Sequence, residues 1–161
     1  MAVDMFLKLS GVEGESLDKA HGKEIDVLAW SWGASNSGSM HMGAGGGSGK
    51  VSFQDISVTK YVDKASKAIL DYCTTGNHFK EGLLTVRKAG GKEPLEYIKI
   101  GLKEVMITSV STGGSGGEDK LTENITLNFK MFKYEYTPQK ETGAGDKTLE
   151  FSWNIAANKT S

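Results

Sequence analysis

The sequence predicts a mainly β protein: an antiparallel β-barrel of two packed sheets with one α-helix, about residues 63-75, and a long glycine-rich loop, 33-49. Three observations carry this reading. Short segments of alternating apolar and polar residues recur along the chain and break at glycine-containing turns, as antiparallel strands do. One segment alone repeats its apolar residues at three- and four-residue steps, as a helix does. Twenty-one of the 161 residues are glycine and only two are proline. That glycine share is about twice the usual 7%, which suits many hairpin turns and some long connections.

Each element follows in order. "AVDMFLKLSG" alternates and stops at a Ser-Gly turn, and the polar excursion "EGESLDKAHGKE" has room for one turn of helix. "EIDVLAWSWGAS" reads as a strand, with Leu28, Trp30 and Trp32 on one face and Ile25, Val27, Ala29 and Ser31 on the other. After the glycine-rich loop, residues 50–60 form the next strand, with Val51 and Phe53 in alternation. Val62, Ala65, Ile69, Tyr72 and Cys73 then mark one helix face, with Asp63 as N-cap and Gly76 as the left-handed residue that ends the helix. Residues 82–112 read as a hairpin turning at Ala89-Gly90-Gly91-Lys92. Pro94 opens the return strand, where a missing N–H is tolerated. "KLTENITLNFKMFKYEYTP" is a long strand ended by Pro138, and "KTLEFSWNIA" is the last one. The expected total is seven to nine strands in a single domain, residues 1-161.

Composition excludes several function classes. The net charge is −1 with both signs interspersed, which argues against a nucleic-acid-binding surface. No apolar run reaches 18 residues, so no membrane insertion is expected. The start, "MAVDMFLKLSGVEGES", has no cationic region and carries Asp4, so no signal peptide is expected either. The single cysteine, Cys73, excludes an internal disulfide and a cysteine-based zinc site. On an apolar helix face it reads as a core residue.

"GSMHMGAGGGSGKVSF", residues 38–53, has the look of a phosphate-binding loop. The phosphate motif needs a glycine, four residues, Gly-Lys and then Ser or Thr. Anchored on Gly49 and Lys50, the first glycine position holds Ala44 and the hydroxyl position holds Val51. A strand follows instead of the helix whose N-terminus would face the anion. His21, His41 and His78 fall in expected loops. The Met40-His41-Met42 triplet offers soft ligands for copper, but extended geometry turns His41 away from both methionines. No nucleophile-and-base frame is present. No catalytic residue, metal ligand or cofactor is expected. A connection as long as 33–49 is uncommon in a small domain unless it is functional or disordered. Together these points favour an interaction protein.

The blocks "VLAWSWGASNSGSMHMGAGGGSGKV", "DISVTKYVDKAS", "TVRKAGG" and "ITSVSTGGSGGEDKLTENITLNF" resemble the Hcp (haemolysin-coregulated protein) family of the bacterial type VI secretion system. The similarity runs from "MAVDMFLKL" to "FSWNIAANK". The resemblance implies a β-barrel that assembles into a homohexameric ring. Rings stack into an inner tube, driven by a contractile sheath and capped by a VgrG spike. It also implies that small effector proteins are held in the lumen, and that the subunit itself passes from the cytoplasm to the outside without a signal peptide. No C-terminal toxin extension is expected, since the sequence ends straight after its last expected strand. Within that frame, Ser31 and Ala29 are expected to line the lumen, and Met40, His41, Met42 and Gly43 to reach the next subunit. Gly90, at a hairpin tip, is expected where rings stack, because only a small residue lets two backbones approach closely. The rival readings are a monomeric ligand-binding β-barrel without catalytic activity, and a small hydrolase or nucleotide-binding barrel.

Overall fold

Alternating segments become strands where one face of each can be buried, and here they bury it by curling into a closed cylinder. The computed structural model describes residues 3–38, 40–42, 49–88 and 93–161. In chain order its elements are β1 (Val3–Leu9), β2 (Ile25–Ser31), β3 (Ala34–Ser35), β4 (Ser52–Phe53), β5 (Ile56–Tyr61), α1 (Ser66–Thr75), β6 (His78–Lys88), β7 (Leu95–Thr112), β8 (Thr122–Tyr136), β9 (Leu149–Asn154) and β10 (Lys159–Thr160). Hydrogen bonding runs β8-β5-β2-β1-β6-β7 and returns to β8, antiparallel at every step. The result is a closed six-stranded barrel. β9 and β10 extend from β8 outside the cylinder, and β3 and β4 form a separate two-stranded ribbon.

The two long strands make closure possible. β8 pairs with β5 through Thr122–Leu127 and with β9 through Met131–Tyr136, while β7 runs along its other edge. Inside, Leu7, Ile25, Ile56, Ile100 and Leu127 are 0–1% exposed. A barrel this narrow is filled by its own side chains, each contributing about 1.5–3 kcal/mol on burial. α1 lies against β7, with Ile69 fully buried and Tyr72 stacked on Phe79 at 4.2 Å.

Several expectations need correction, each for a physical reason. Leu28 is exposed and does not share a face with Trp30 and Trp32. A bulge between Val27 and Ala29 adds one residue and flips the alternation. Ile25 and Val27 therefore point inward together with Trp30 and Trp32, while Ala29 and Ser31 point outward. The strand expected over 50–60 is split at Gln54–Asp55, where the chain leaves the ribbon for the barrel. There the Gln54 N–H donates to the Gly33 carbonyl at 2.9 Å.

The helix begins at Ser66 and its N-cap is Ala65, not Asp63. Asp63 sits two residues before Ala65 and makes a reciprocal pair there: its carboxylate accepts from the Ala65 N–H, and the Ser66 hydroxyl accepts from the Asp63 N–H. Gly76 ends the helix in the left-handed region, φ 75°, with its N–H on the Tyr72 carbonyl, as expected. Val62 is half exposed and lies off the buried face.

The excursion before β2 has no helical turn. It doubles back on itself, with Gly14 N–H on the Lys23 carbonyl and Ser16 N–H on that of Glu24. A Cβ at position 14 would stand 2.5 Å from the Glu24 carbonyl oxygen, so only glycine allows the approach. β10 had no alternation long enough to reveal it.

Candidate functional site

Where a strand buries one face, the other face is free to serve function. The outward residues of β2, β5, β8 and the end of β7 lie side by side. Register places Ser31 beside Ser57, Ser57 beside Thr126, and Thr126 beside Ser109. One step along, Ala29 neighbours Thr59, Thr59 neighbours Asn124, and Asn124 neighbours Ser111. Side-chain bonds knit the rows together. The Thr59 hydroxyl donates to Asn124 at 2.6 Å, and Thr126 Oγ1 lies 2.6 Å from Thr108 Oγ1 and 2.7 Å from Ser109 Oγ. At one border Asp55 accepts from the Thr108 hydroxyl at 2.6 Å and from the Asn128 amide at 2.9 Å. The face is four strands wide, small in side chain, and built of neutral hydroxyls and amides.

The barrel's other outward face is different in kind. Over β1 and β6 it is covered by the excursion, and charge holds the cover down. Arg87 bridges Asp18 at 2.6 Å and Asp4 at 2.9 Å. The Asp18 carboxyl is held well below the usual range, chiefly by its bond from Arg87. His21 stacks on Phe6 with centroids 4.4 Å apart, and its two ring nitrogens meet Glu24 and Glu96. Carboxylate oxygens beside both ring nitrogens favour two N–H donors, the imidazolium form. Burial opposes that charge, but the bonds to Glu96 and Glu24 outweigh it and raise the pKa. Farther round, a concavity of about 650 Å³ is flanked by Glu81, Lys103, Lys133 and Glu150. Glu150 and Glu135 raise the pKa of Lys133.

The long loop is anchored at its root. Ala34 pairs with Phe53 and Ser35 with Ser52, and the Gly49 N–H reaches the Ser37 carbonyl at 3.3 Å. Trp32 and Phe53 seat the root in an aromatic cluster with Phe129 and Phe132. Beyond the root, Met40–Met42 forms one turn of 3₁₀ helix rather than extended chain, and Met40 is 82% exposed. His41 is exposed too.

The structure thus brings Ser31 and Ala29 together on the neutral face and puts Met40 and His41 on the arm. Gly43 and Gly90 lie outside the described residues, as does the side chain of Met42. Among the described residues no three His, Cys, Asp or Glu side chains gather into a metal-binding group, and no helix is long and apolar enough to cross a membrane. Sequence reasoning missed Asp55, Thr108, Thr126 and Asn128. Their signal was present: "DISVT", "MITSVST" and "TENITLN" each place Ser, Thr or Asn at alternate positions.

Comparison with known proteins agrees with this architecture. Residues 6–136 match the family model described as type VI secretion system effector, Hcp. The chain is 58% identical to protein hcp1 of Pseudomonas aeruginosa over 159 residues, covering 98% of each chain. Among solved structures it is similar to a type six secretion system protein, with TM-score 0.93, 31% identity and coverage of 99% and 100%. It is also similar to Hcp1 from Salmonella typhimurium, with TM-score 0.82, 36% identity and full coverage of both chains. The chain belongs to the Hcp family of type VI secretion proteins.

Proposed function

We propose that this chain is the structural subunit of the type VI inner tube. Six copies form a ring, rings stack, and the lumen holds small effector proteins on their way to a target cell. A contractile sheath and a VgrG spike are its partners, and the subunit leaves the cytoplasm with its cargo. The observation that supports this best is the neutral face of β2, β5, β8 and β7. Short hydroxyl and amide side chains leave room in a channel and adapt their hydrogen bonds to varied partners. The excursion-covered side is charged and closed by comparison.

Light scattering tests the ring: a mass near six protomers supports it, and a 17.3 kDa species overturns it in favour of a monomeric barrel. The exposed Met40 supports a role for the arm, since methionine suits adaptable contacts. Deleting residues 39–48 is expected to convert rings to monomers in size-exclusion chromatography. Rings that persist would remove the arm from the subunit interface. Ser31→Gln is expected to lower effector co-purification several-fold while rings still form. Unchanged retention would place the cargo surface elsewhere.

A further inference from the structure

We infer that Asp55 is the charged anchor of the neutral face, and that the cargo it selects presents arginine or lysine there. The inference rests on the ring-and-lumen reading and names the chemistry of what the lumen holds.

Asp55 stands at the border where β5 begins, half-buried. Its two carboxylate oxygens are bonded on opposite sides, Oδ2 by Thr108 and Oδ1 by Asn128. Both donors are neutral. No Lys, Arg or His pairs with Asp55 among the ion pairs of the described residues. Contrast the other acidic groups with buried partners: Asp18 has Arg87, Glu123 has Lys60, and Glu24 and Glu96 share His21. Asp55 is therefore a fixed negative charge with no cationic partner among the described residues, beside a wide field of neutral donors and acceptors.

Two features make it suited to capture a cation. Its orientation is set beforehand by two strands, so little side-chain entropy is lost on binding. Each carboxylate oxygen keeps a second acceptor position beyond its present bond. A guanidinium fork can use both without displacing Thr108 or Asn128. The surrounding Ser57, Thr126 and Ser109 hydroxyls then accept or donate to the neighbouring backbone of the guest. In a ring the arrangement repeats once per subunit, which adds multivalency to a weak single contact.

The test uses a fluorescent twelve-residue peptide of alternating arginine and serine, with a glutamate-serine counterpart. Anisotropy is measured on wild type, Asp55→Asn and Thr108→Val, each sized by light scattering in the same sample. The arginine peptide is expected to bind wild type better than the glutamate peptide. Asp55→Asn, which keeps the shape and an acceptor but loses the charge, is expected to weaken it about three- to fivefold, the range of a solvent-accessible ion pair. Thr108→Val, which keeps the charge but frees the carboxylate, should fall between. The difference should shrink in 0.5 M salt, about what screening at that strength removes. Equal binding by wild type and folded Asp55→Asn, or equal binding of the two peptides, overturns the inference. A wild-type monomer instead overturns the ring, while the same peptide comparison still decides the role of Asp55.

Discussion

Glu123→Ala is expected to destabilise the protein by about 3–5 kcal/mol, the range for breaking a buried ion pair by removing one partner. Lys60 points into the barrel from β5 and is 0% exposed. Its ammonium donates to the Tyr61 carbonyl at 2.8 Å, to Glu123 and to the Ser66 hydroxyl, and lies 3.0 Å from an Asp63 oxygen. The Ser66 hydroxyl in turn donates to Glu123 at 2.7 Å. One buried cation thus ties β5, β8 and the start of α1 together. Without Glu123 the ammonium, 0% exposed, keeps only Asp63 as a charged partner.

The paired replacement Lys60→Met with Glu123→Leu removes both charges and fills similar volume. It is expected to restore stability to within about 1–2 kcal/mol of wild type, because a well-packed apolar pair avoids the desolvation cost that the ion pair only offsets. Urea denaturation of the two variants and wild type measures both effects. A Glu123→Ala loss under about 1 kcal/mol would show that the ammonium is adequately held by Asp63 and the Tyr61 carbonyl. The double variant losing as much as the single one would show that geometry, not charge, is what the network supplies.

This network also shows where the sequence was legible and where it was not. "DISVTKYVDKAS" displays its strand and its helix openly, because both have a period that local spacing reveals. Alternation even puts Lys60 on the inward side with Ile56 and Val58. What remains hidden is that Glu123, sixty-three positions later, arrives beside it to permit the burial. The bulge at Leu28 is hidden for a related reason. It responds to the pairing of β2 with β5, so the segment's own pattern continues smoothly through it. On β7, Leu102 and Val105 are both buried because Glu104 adopts φ 55° between them, another break that period two does not announce. The neutral face was readable in outline through Ser31 and Ala29, which remain outward residues despite the bulge. Its extent depended on β8 crossing to join β5 and β7, which is a matter of topology.

Phe132→Ala is expected to cost about 3–5 kcal/mol, as for other buried aromatic truncations, and, under the proposed assembly, to dissolve rings at denaturant concentrations where the barrel is still folded. Phe132 is 3% exposed, and its ring meets Trp32 at 4.9 Å, Phe53 at 5.0 Å and Phe151 at 5.9 Å, all edge to face. Two of those partners belong to the loop's anchor: Trp32 stands just before its root and Phe53 lies within it, on β4. The third is on β9, outside the barrel. The six barrel strands are expected to keep their hydrogen bonds and most of their core when Phe132 is truncated. The ribbon loses the ring that its own Phe53 packs against, and two strands of two residues each have little else to hold them. Under the proposed assembly, a loosened root raises the entropy lost when the segment it anchors is fixed against a neighbour. Assembly should therefore fail before folding does. Phe132→Leu refills part of the cavity and is expected to recover much of both properties. Far-ultraviolet dichroism and light scattering on the same urea series separate the two transitions. If rings and barrel of Phe132→Ala disappear together, the root has no independent part in assembly. If rings survive to the same urea concentration as wild type, the arm does not depend on the aromatic seat at all.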